Sequence, residues 1–220
     1  MKPYYEEKGI TIYHGDCRDI LPSLPKVDLV LTDPPYGIMG GRGNNATHGK
    51  GNYEPNFTDD LEYVKNVSSK IIENLIPKTR SMIVTPGYKG MWFYPIPSDY
   101  GCFYHPASAS WGTWGHQTWS PIFYYGKDPR AGKGQSPTSM QLKEAAEKNG
   151  HPCPKPIRAW QWLLNKGSLE GETVLDPMMG SGTTLRAAKD LSRKAIGIEI
   201  EEKYCEIAVK RLRQEVLDFA

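Results

Sequence analysis

Four consecutive residues, Asp33-Pro34-Pro35-Tyr36, put a carboxylate, backbone carbonyls and an aromatic ring within one short stretch. Pro34 keeps Asp33 out of the helical region and Pro35 has no N–H to donate, so the carbonyls around Pro34 are left to accept from something else. Such a set suits a planar group carrying an amino substituent, with two acceptors for its N–H bonds and a ring to stack on. A second constellation lies far along the chain, in Asp176-Pro177-Met178-Met179-Gly180-Ser181-Gly182-Thr183. It is a Gly-x-Gly turn followed, about 20 residues beyond, by the acidic Glu199. Glycine lets a ligand approach the backbone of such a turn, and a carboxylate at that spacing accepts from both hydroxyls of a ribose.

Both constellations need strands to hold them. Val27 to Leu31 is an apolar run broken by Pro34 and Pro35, which predicts a buried strand stopping at Asp33. Thr173-Val174-Leu175 predicts another strand before the glycine turn, Thr183 to Leu191 a helix, and Lys194 to Ile200 the next strand. Ile10 to Tyr13 is a short alternating strand with Asp16 and Cys17 just past its end; Asp16 also suits a helix N-cap. Asp59 or Asp60 is placed to cap a helix through Leu61, Val64, Ile71, Ile72 and Leu75, and Ser81 to Thr85 reads as a strand closed by Pro86-Gly87. Strand, helix, strand in this order implies right-handed parallel crossovers. The turns after the strands then emerge on one carboxyl edge, where Asp16, Asp33, Asp176 and Glu199 would line a single crevice. Four carboxylates could instead hold a divalent cation, but that leaves the glycine turn and the proline pair without a purpose.

The remaining stretches bound the problem. A chain of 220 residues with a net charge of +2 is sized for one domain, 1–220, and is neither strongly basic nor strongly acidic. No long apolar run and no signal-peptide core are present, so no membrane association and a cytoplasmic location are expected. Cys17, Cys102, Cys153 and Cys205 are far apart and read as reduced thiols; no metal site is expected. Residues 38–57 are glycine-rich, with Arg42, His48 and Lys50, and read as a mobile loop tethered to Tyr36. Tyr88 to Tyr125 is dense in aromatic residues and suggests an edge hairpin, most of its rings serving to pack. Residues 126–150 are polar, and a helix follows in which Ile157, Trp160, Leu163 and Leu164 share a face.

The turn after residue 175 also limits its ligand. The third glycine of a dinucleotide fingerprint is replaced by Leu185, and no Gly-Lys-Ser/Thr of a P-loop occurs. Asp176 would repel a pyrophosphate and suit an ammonium group. S-adenosylmethionine, a ribonucleoside joined to a cationic amino acid, meets these constraints best.

Taken together the motifs resemble those of amino-group DNA methyltransferases in the permuted arrangement, in which the catalytic motif precedes the cofactor motif. Asp33-Pro34-Pro35-Tyr36 matches that family's Asp/Asn/Ser-Pro-Pro-Tyr motif, and Asp176 to Thr184 is similar to its Asp-Pro-Phe-x-Gly-Ser-Gly-Thr-Thr motif. His151-Pro152-Cys153-Pro154-Lys155-Pro156 resembles its His-Pro-Thr-x-Lys-Pro stretch, and Gly15-Asp16-Cys17 the segment near the cofactor's adenine. The resemblance implies a Rossmann-like α/β fold, with a mostly parallel seven-stranded sheet, an antiparallel edge hairpin and helices on both faces. It implies catalysis by Asp33, Pro34, Pro35 and Tyr36. The cofactor would be held by Asp16, Cys17, Lys155, Asp176, Pro177, Met178, Gly180, Ser181, Gly182, Thr183 and Glu199. The implied partner is DNA, double- or single-stranded, with adenine N6 favoured over cytosine N4 because the cytosine enzymes more often begin the motif with serine. Met178 departs from the family's phenylalanine, and residues 126–150 are short for a target-recognition region, which leaves room for a homodimer or a helper specificity subunit. Methylation of RNA or of a protein glutamine, and a catalytically silent nucleic-acid-binding subunit, are the rival readings.

Overall fold

The structure is a computed structural model that describes residues 2–37, 59–106, 111–112, 114–132, 134, 136–145 and 155–214. The glycine-rich stretch 38–57, the His151 to Pro154 part of the proline-rich motif and part of 126–150 lie outside the described residues.

Apolar runs become strands where the sequence predicts them. The strands are β1 (Tyr5–Glu7), β2 (Ile10–His14), β3 (Val27–Thr32), β4 (Thr79–Val84), β5 (Asp99–Tyr104), β6 (Trp111–Gly112), β7 (Gly115–His116), β8 (Trp119–Gly126), β9 (Met140–Gln141), β10 (Thr173–Asp176) and β11 (Lys194–Glu199). Nine of them form one sheet in the order β1-β2-β11-β10-β3-β4-β8-β5-β9, and β6 and β7 pair separately. The five strands from β2 to β4 run parallel. On one flank β8 inserts antiparallel between β4 and β5. Among the described residues the expected seven strands are thus nine, for local reasons. Lys8 and Gly9, both at positive φ (49° and 81°), turn the chain back so that β1 pairs with β2, and a two-residue β9 attaches to β5.

The helices are α1 (Cys17–Ile20), α2 (Leu61–Tyr63), α3 (Ser69–Leu75), α4 (Ile157–Gly167), α5 (Thr183–Asp190) and α6 (Glu202–Arg213). Asp60, not Asp59, caps α2 by accepting from the Tyr63 N–H at 2.8 Å. A π-helical turn, Val64–Ser68, joins α2 to α3, where the apolar spacing alone suggests one continuous helix. Pleating sorts β3 between two cores: Leu29 and Leu31 join Ala159, Leu163, Leu164, Leu185 and Leu212 from α4, α5 and α6, whereas Val30 joins Ile20, Ile71, Ile72 and Leu75 from α1 and α3. Burial on both faces explains why β3 reads as a continuous apolar run. Among the aromatic residues of the predicted hairpin, Tyr94, Phe103, Phe123 and Tyr125 are buried, and Trp92, Tyr100 and Trp114 are exposed.

Gly126 marks where β8 must turn away from β4. It has φ +79°, and a Cβ there would meet the backbone carbonyl of Arg80, which no side-chain repacking relieves. Gly132 has φ +78° with nothing within 4 Å. Gly126→Ala is therefore expected to cost about 2 kcal/mol more in a urea denaturation than Gly132→Ala; equal losses would show that the close approach to β4 contributes nothing.

Candidate active site

Asp33 lies one residue beyond β3 and Asp176 is the last residue of its parallel neighbour β10. The connection from β3 leads through α2 and α3 to β4 on one side, and that from β10 leads through α5 to β11 on the other. The crevice between the two carboxyl ends is therefore the topological switch point of the sheet. Glu199 ends β11, and Gly15, preceding Asp16 after β2, donates its N–H to the Glu199 carbonyl at 2.9 Å. The four acids expected in one crevice thus occupy the ends of four neighbouring strands, β2, β11, β10 and β3.

The glycine turn is built to fit against β11. Met179 N–H donates to the Ile198 carbonyl at 3.0 Å, and Gly180 N–H donates to Glu199 Oε2 at 3.0 Å. Gly180 and Gly182 hold φ of 52° and 75°, and Gly182 leads into α5. A Cβ on Gly182 would approach the Cβ of Ala208 on α6 to 2.7 Å. Arg211 on the same helix donates to the Ser181 carbonyl at 2.8 Å and to Thr183 Oγ1 at 3.1 Å, which fixes the turn from behind. Pro177 and Met178 complete the turn; Met178 packs partly buried against the core on the α1 and α3 side.

Two carboxylates here are held in uncomfortable surroundings. Burial pushes the Glu199 carboxyl up to about 7, although the N–H groups of Glu201 and Gly180 oppose the shift. Burial likewise pushes Asp176 up to about 6, opposed by the Thr184 hydroxyl, which donates to Asp176 Oδ2 at 2.6 Å. Trp160 on α4 donates to that hydroxyl at 3.0 Å and so orients it. Asp16 is less constrained. It caps α1 and pairs with Arg18 at 2.5 Å, so the N-cap role and a place at the crevice coincide. Cys17 points the other way, into the core on the α1 side, where burial pushes its thiol up to about 12.

At Asp33 the structure adds what the sequence does not reveal. Tyr36 donates its hydroxyl to Asp33 Oδ1 at 2.5 Å, and the Thr85 hydroxyl donates to the same oxygen. Lys155 sits with Nζ 2.6 Å from Asp33 Oδ2, 3.0 Å from the Tyr36 hydroxyl and 4.6 Å from the centre of the Tyr36 ring. Burial opposes the charge on Lys155, but the Asp33 carboxylate outweighs it and holds the amine above its ordinary pKa. Lys155, expected with the cofactor residues, therefore lies on the Asp33 half of the crevice. Thr85, one residue past β4, donates its N–H to the Thr32 carbonyl at 3.1 Å, which anchors it beside Asp33. Gly87 supports Tyr36: with φ +66°, it has no Cβ where one would lie 2.6 Å from Tyr36 Cγ. Its signal in the sequence is the Thr85-Pro86-Gly87 break, which repeats at β4 the strand-then-proline pattern of Asp33-Pro34. Pro34 is buried, and among the described residues its carbonyl receives no hydrogen bond.

A doubly wound sheet with a glycine turn and an acid across its switch point defines an α/β nucleotide-binding enzyme fold, and Asp33-Pro34-Pro35-Tyr36 supplies an amino-accepting half. Residues 88–210, more than half of the chain, match the family model described as DNA methylase, N6_N4_Mtase, and the chain belongs to that family. It is 26% identical to the Type II methyltransferase M.ScaI of Streptomyces caespitosus over 97% of this chain and 84% of that protein. It is 27% identical to the Type II methyltransferase M2.DpnII of Streptococcus pneumoniae over 97% and 93%. The fold is similar to that of PvuII DNA methyltransferase, described as cytosine-N4-specific, with a TM-score of 0.72 over 99% of this chain and 91% of that one at 16% identity. It is also similar to the M1.HpyAVI–SAM complex, with a TM-score of 0.64 over 93% and 100% at 24% identity. The protein is a DNA methyltransferase with a Rossmann-like α/β fold.

The raised carboxyl of Glu199 sets a pH dependence. Between its ordinary value of 4.5 and about 7, the native state holds a proton that the unfolded chain has lost, so its contribution to stability falls as pH rises through that window. Without ligand, the stability of the wild type relative to Glu199→Gln should decline by on the order of 3 kcal/mol from pH 4 to pH 8 in urea titrations. A pH-independent difference would place Glu199 in a solvated setting.

Proposed function

We propose that the protein transfers a methyl group from S-adenosylmethionine to the exocyclic N6 of adenine in DNA. The observation that carries this reading is Asp33 at the switch point, next to the buried Asp176, with a Pro34 carbonyl that receives no hydrogen bond among the described residues. The donor set suits the cofactor. Glu199, buried and only partly compensated by backbone N–H groups, gains from ribose hydroxyl donors, and Asp176 gains from a nearby cation. The residues that would hold it are Glu199, Asp176, Pro177, Met178 and the Gly180 to Thr183 turn, with Asp16 at the adenine end and Cys17 packed behind it in the core. When bound, S-adenosylmethionine supplies an electrophilic methyl group on a sulfonium.

The chain's own residues act on the base. The amino nitrogen is a poor nucleophile because its lone pair is conjugated with the ring. Hydrogen bonds from it to Asp33 and to the Pro34 carbonyl draw the nitrogen toward tetrahedral geometry and stabilise the positive charge that grows on it. Tyr36 offers a ring for stacking to a base that has left the duplex or comes from a single strand. Asp33 at the head of the motif, rather than serine, supports adenine over cytosine. The Type II relatives support a role in restriction and modification. Residues 126–150, of which Arg130, Ser136 and Thr138 bond to Asn165, Lys166 and Tyr124, are a short stretch for sequence recognition, so a homodimer or a helper subunit would complete it.

Incubation with tritiated S-adenosylmethionine and DNA, RNA or neither, followed by digestion to nucleosides, tests the reading. Label is expected in N6-methyladenine and should fall by about 100-fold or more in Asp33→Ala. Label in N4-methylcytosine overturns the adenine assignment, and label in no nucleic acid overturns the reading as a whole. In a binding titration Glu199→Ala should weaken cofactor affinity while Asp33→Ala spares it; equal losses would contradict the division of roles.

A further inference from the structure

A count of hydrogen-bond positions on Asp33 shows where an incoming amino group can dock. A carboxylate offers about four acceptor positions, two on each oxygen. Oδ1 is taken by the Tyr36 and Thr85 hydroxyls, and Oδ2 receives Lys155 Nζ. Among the described residues no further donor reaches Oδ2. One acceptor position therefore stays open, and it lies directly beside the Lys155 ammonium. That ammonium has three N–H donors, of which Asp33 Oδ2 and the Tyr36 hydroxyl take two. The third has no partner among the described residues. Both side chains are about one fifth exposed, 20% for Lys155 and 19% for Asp33, so the pair is reachable from the crevice while held in place.

An open acceptor next to an open donor is complementary to a group that presents a donor next to an acceptor. Adenine has that edge in its amino group and N1, and cytosine in its amino group and N3. Guanine and thymine present a carbonyl oxygen and a ring N–H at the equivalent edge, which would set oxygen against Asp33 and N–H against Lys155. We propose that Lys155 donates to the ring nitrogen adjacent to the target amino group, so that Asp33 and Lys155 together read the N–C–N edge of the base. The inference rests on the proposed docking of the amino group on Asp33 and deepens it by naming a second contact to the base. Its chemical consequence is regioselectivity. The ring nitrogen is the more basic of the two in the free base, and engaging its lone pair leaves the amino nitrogen as the site open to methylation. Lys155 cannot perform this role without Tyr36, whose hydroxyl accepts from it and whose ring lies beneath it.

The test uses two duplexes that are identical except at the target adenine located by the labelling experiment, which faces an abasic position in both so that neither substrate has a base pair to break. In one of them it is replaced by 1-deazaadenine, which keeps the amino group and carries C–H where the ring nitrogen was. For the wild type, kcat/KM is expected to fall by about tenfold on the deaza duplex, the size of one hydrogen bond from a charged donor. In Lys155→Met the same replacement should cost about twofold or less, whereas Lys155→Arg, which keeps a donor, should retain part of the discrimination. Fluorescence anisotropy without cofactor reads the same ratio as a Kd, independently of turnover. If the label lies in N4-methylcytosine, the pair becomes cytosine and 3-deazacytosine. Equal wild-type values on the two duplexes overturn the assignment without any variant, and so does an equal loss in wild type and Lys155→Met. Absence of label from wild-type reactions overturns the proposed function, and this inference with it.

Discussion

The parallel pairing of β3 with β10 is the constraint on which the site depends. Their following segments lead toward opposite sides of the sheet, which sets a crevice between their carboxyl ends. Asp33 and Asp176 stand at neighbouring strand ends there although they lie far apart in the chain. Each of the two parallel strands is buried on both faces, so their position is set by two cores at once, one under α4 to α6 and one under α1 and α3. A displacement of either strand would have to disturb both cores, and densely packed interiors do not deform gradually.

The two halves of the site are stabilised by different physics. In the glycine turn, backbone N–H groups and buried carboxylates meet in a poorly solvated place, and the carboxylates remain raised in pKa because burial exceeds the hydrogen bonding they receive. Such groups gain from a ligand that brings donors or positive charge. At Asp33 an ammonium and two hydroxyls already hold the carboxylate in place, and Lys155 is held charged in return. The first half resembles an unmet demand and the second a preorganised one, which suits a site that recruits a cofactor and then aligns a base.

Preorganisation is carried by residues outside the recognised motifs. Thr85 fixes one oxygen of Asp33, Gly87 makes room for the Tyr36 ring, and Trp160 orients the Thr184 hydroxyl that holds Asp176. Each comes from an element remote in sequence from the residue it supports, and each acts through a single contact that only the folded chain creates. Lys155 lies inside a recognised motif and still depends on the folded chain for its place. Its motif places it just before α4, which leads to the strand bearing the cofactor turn, yet its amine reaches across the crevice to Asp33 and Tyr36.

By itself the sequence determined the strands that carry chemistry, because an apolar run ending at Pro34 or at a glycine turn records both burial and its abrupt stop. It also determined the acids at the strand ends, the helical spacing after them and, through three ordered motifs, the class of enzyme. The tertiary structure alone decided the order of the strands, the two small edge additions that make the sheet nine-stranded among the described residues, and the π-helical turn within the crossover from β3 to β4. It alone decided that Cys17 faces the core and that Lys155 pairs with Asp33. The division has one cause. Periodicity and punctuation are local properties that a chain displays along its length. Which side chain meets which carboxylate depends on strand order and crossover direction, and these are settled only when both faces of the sheet are packed.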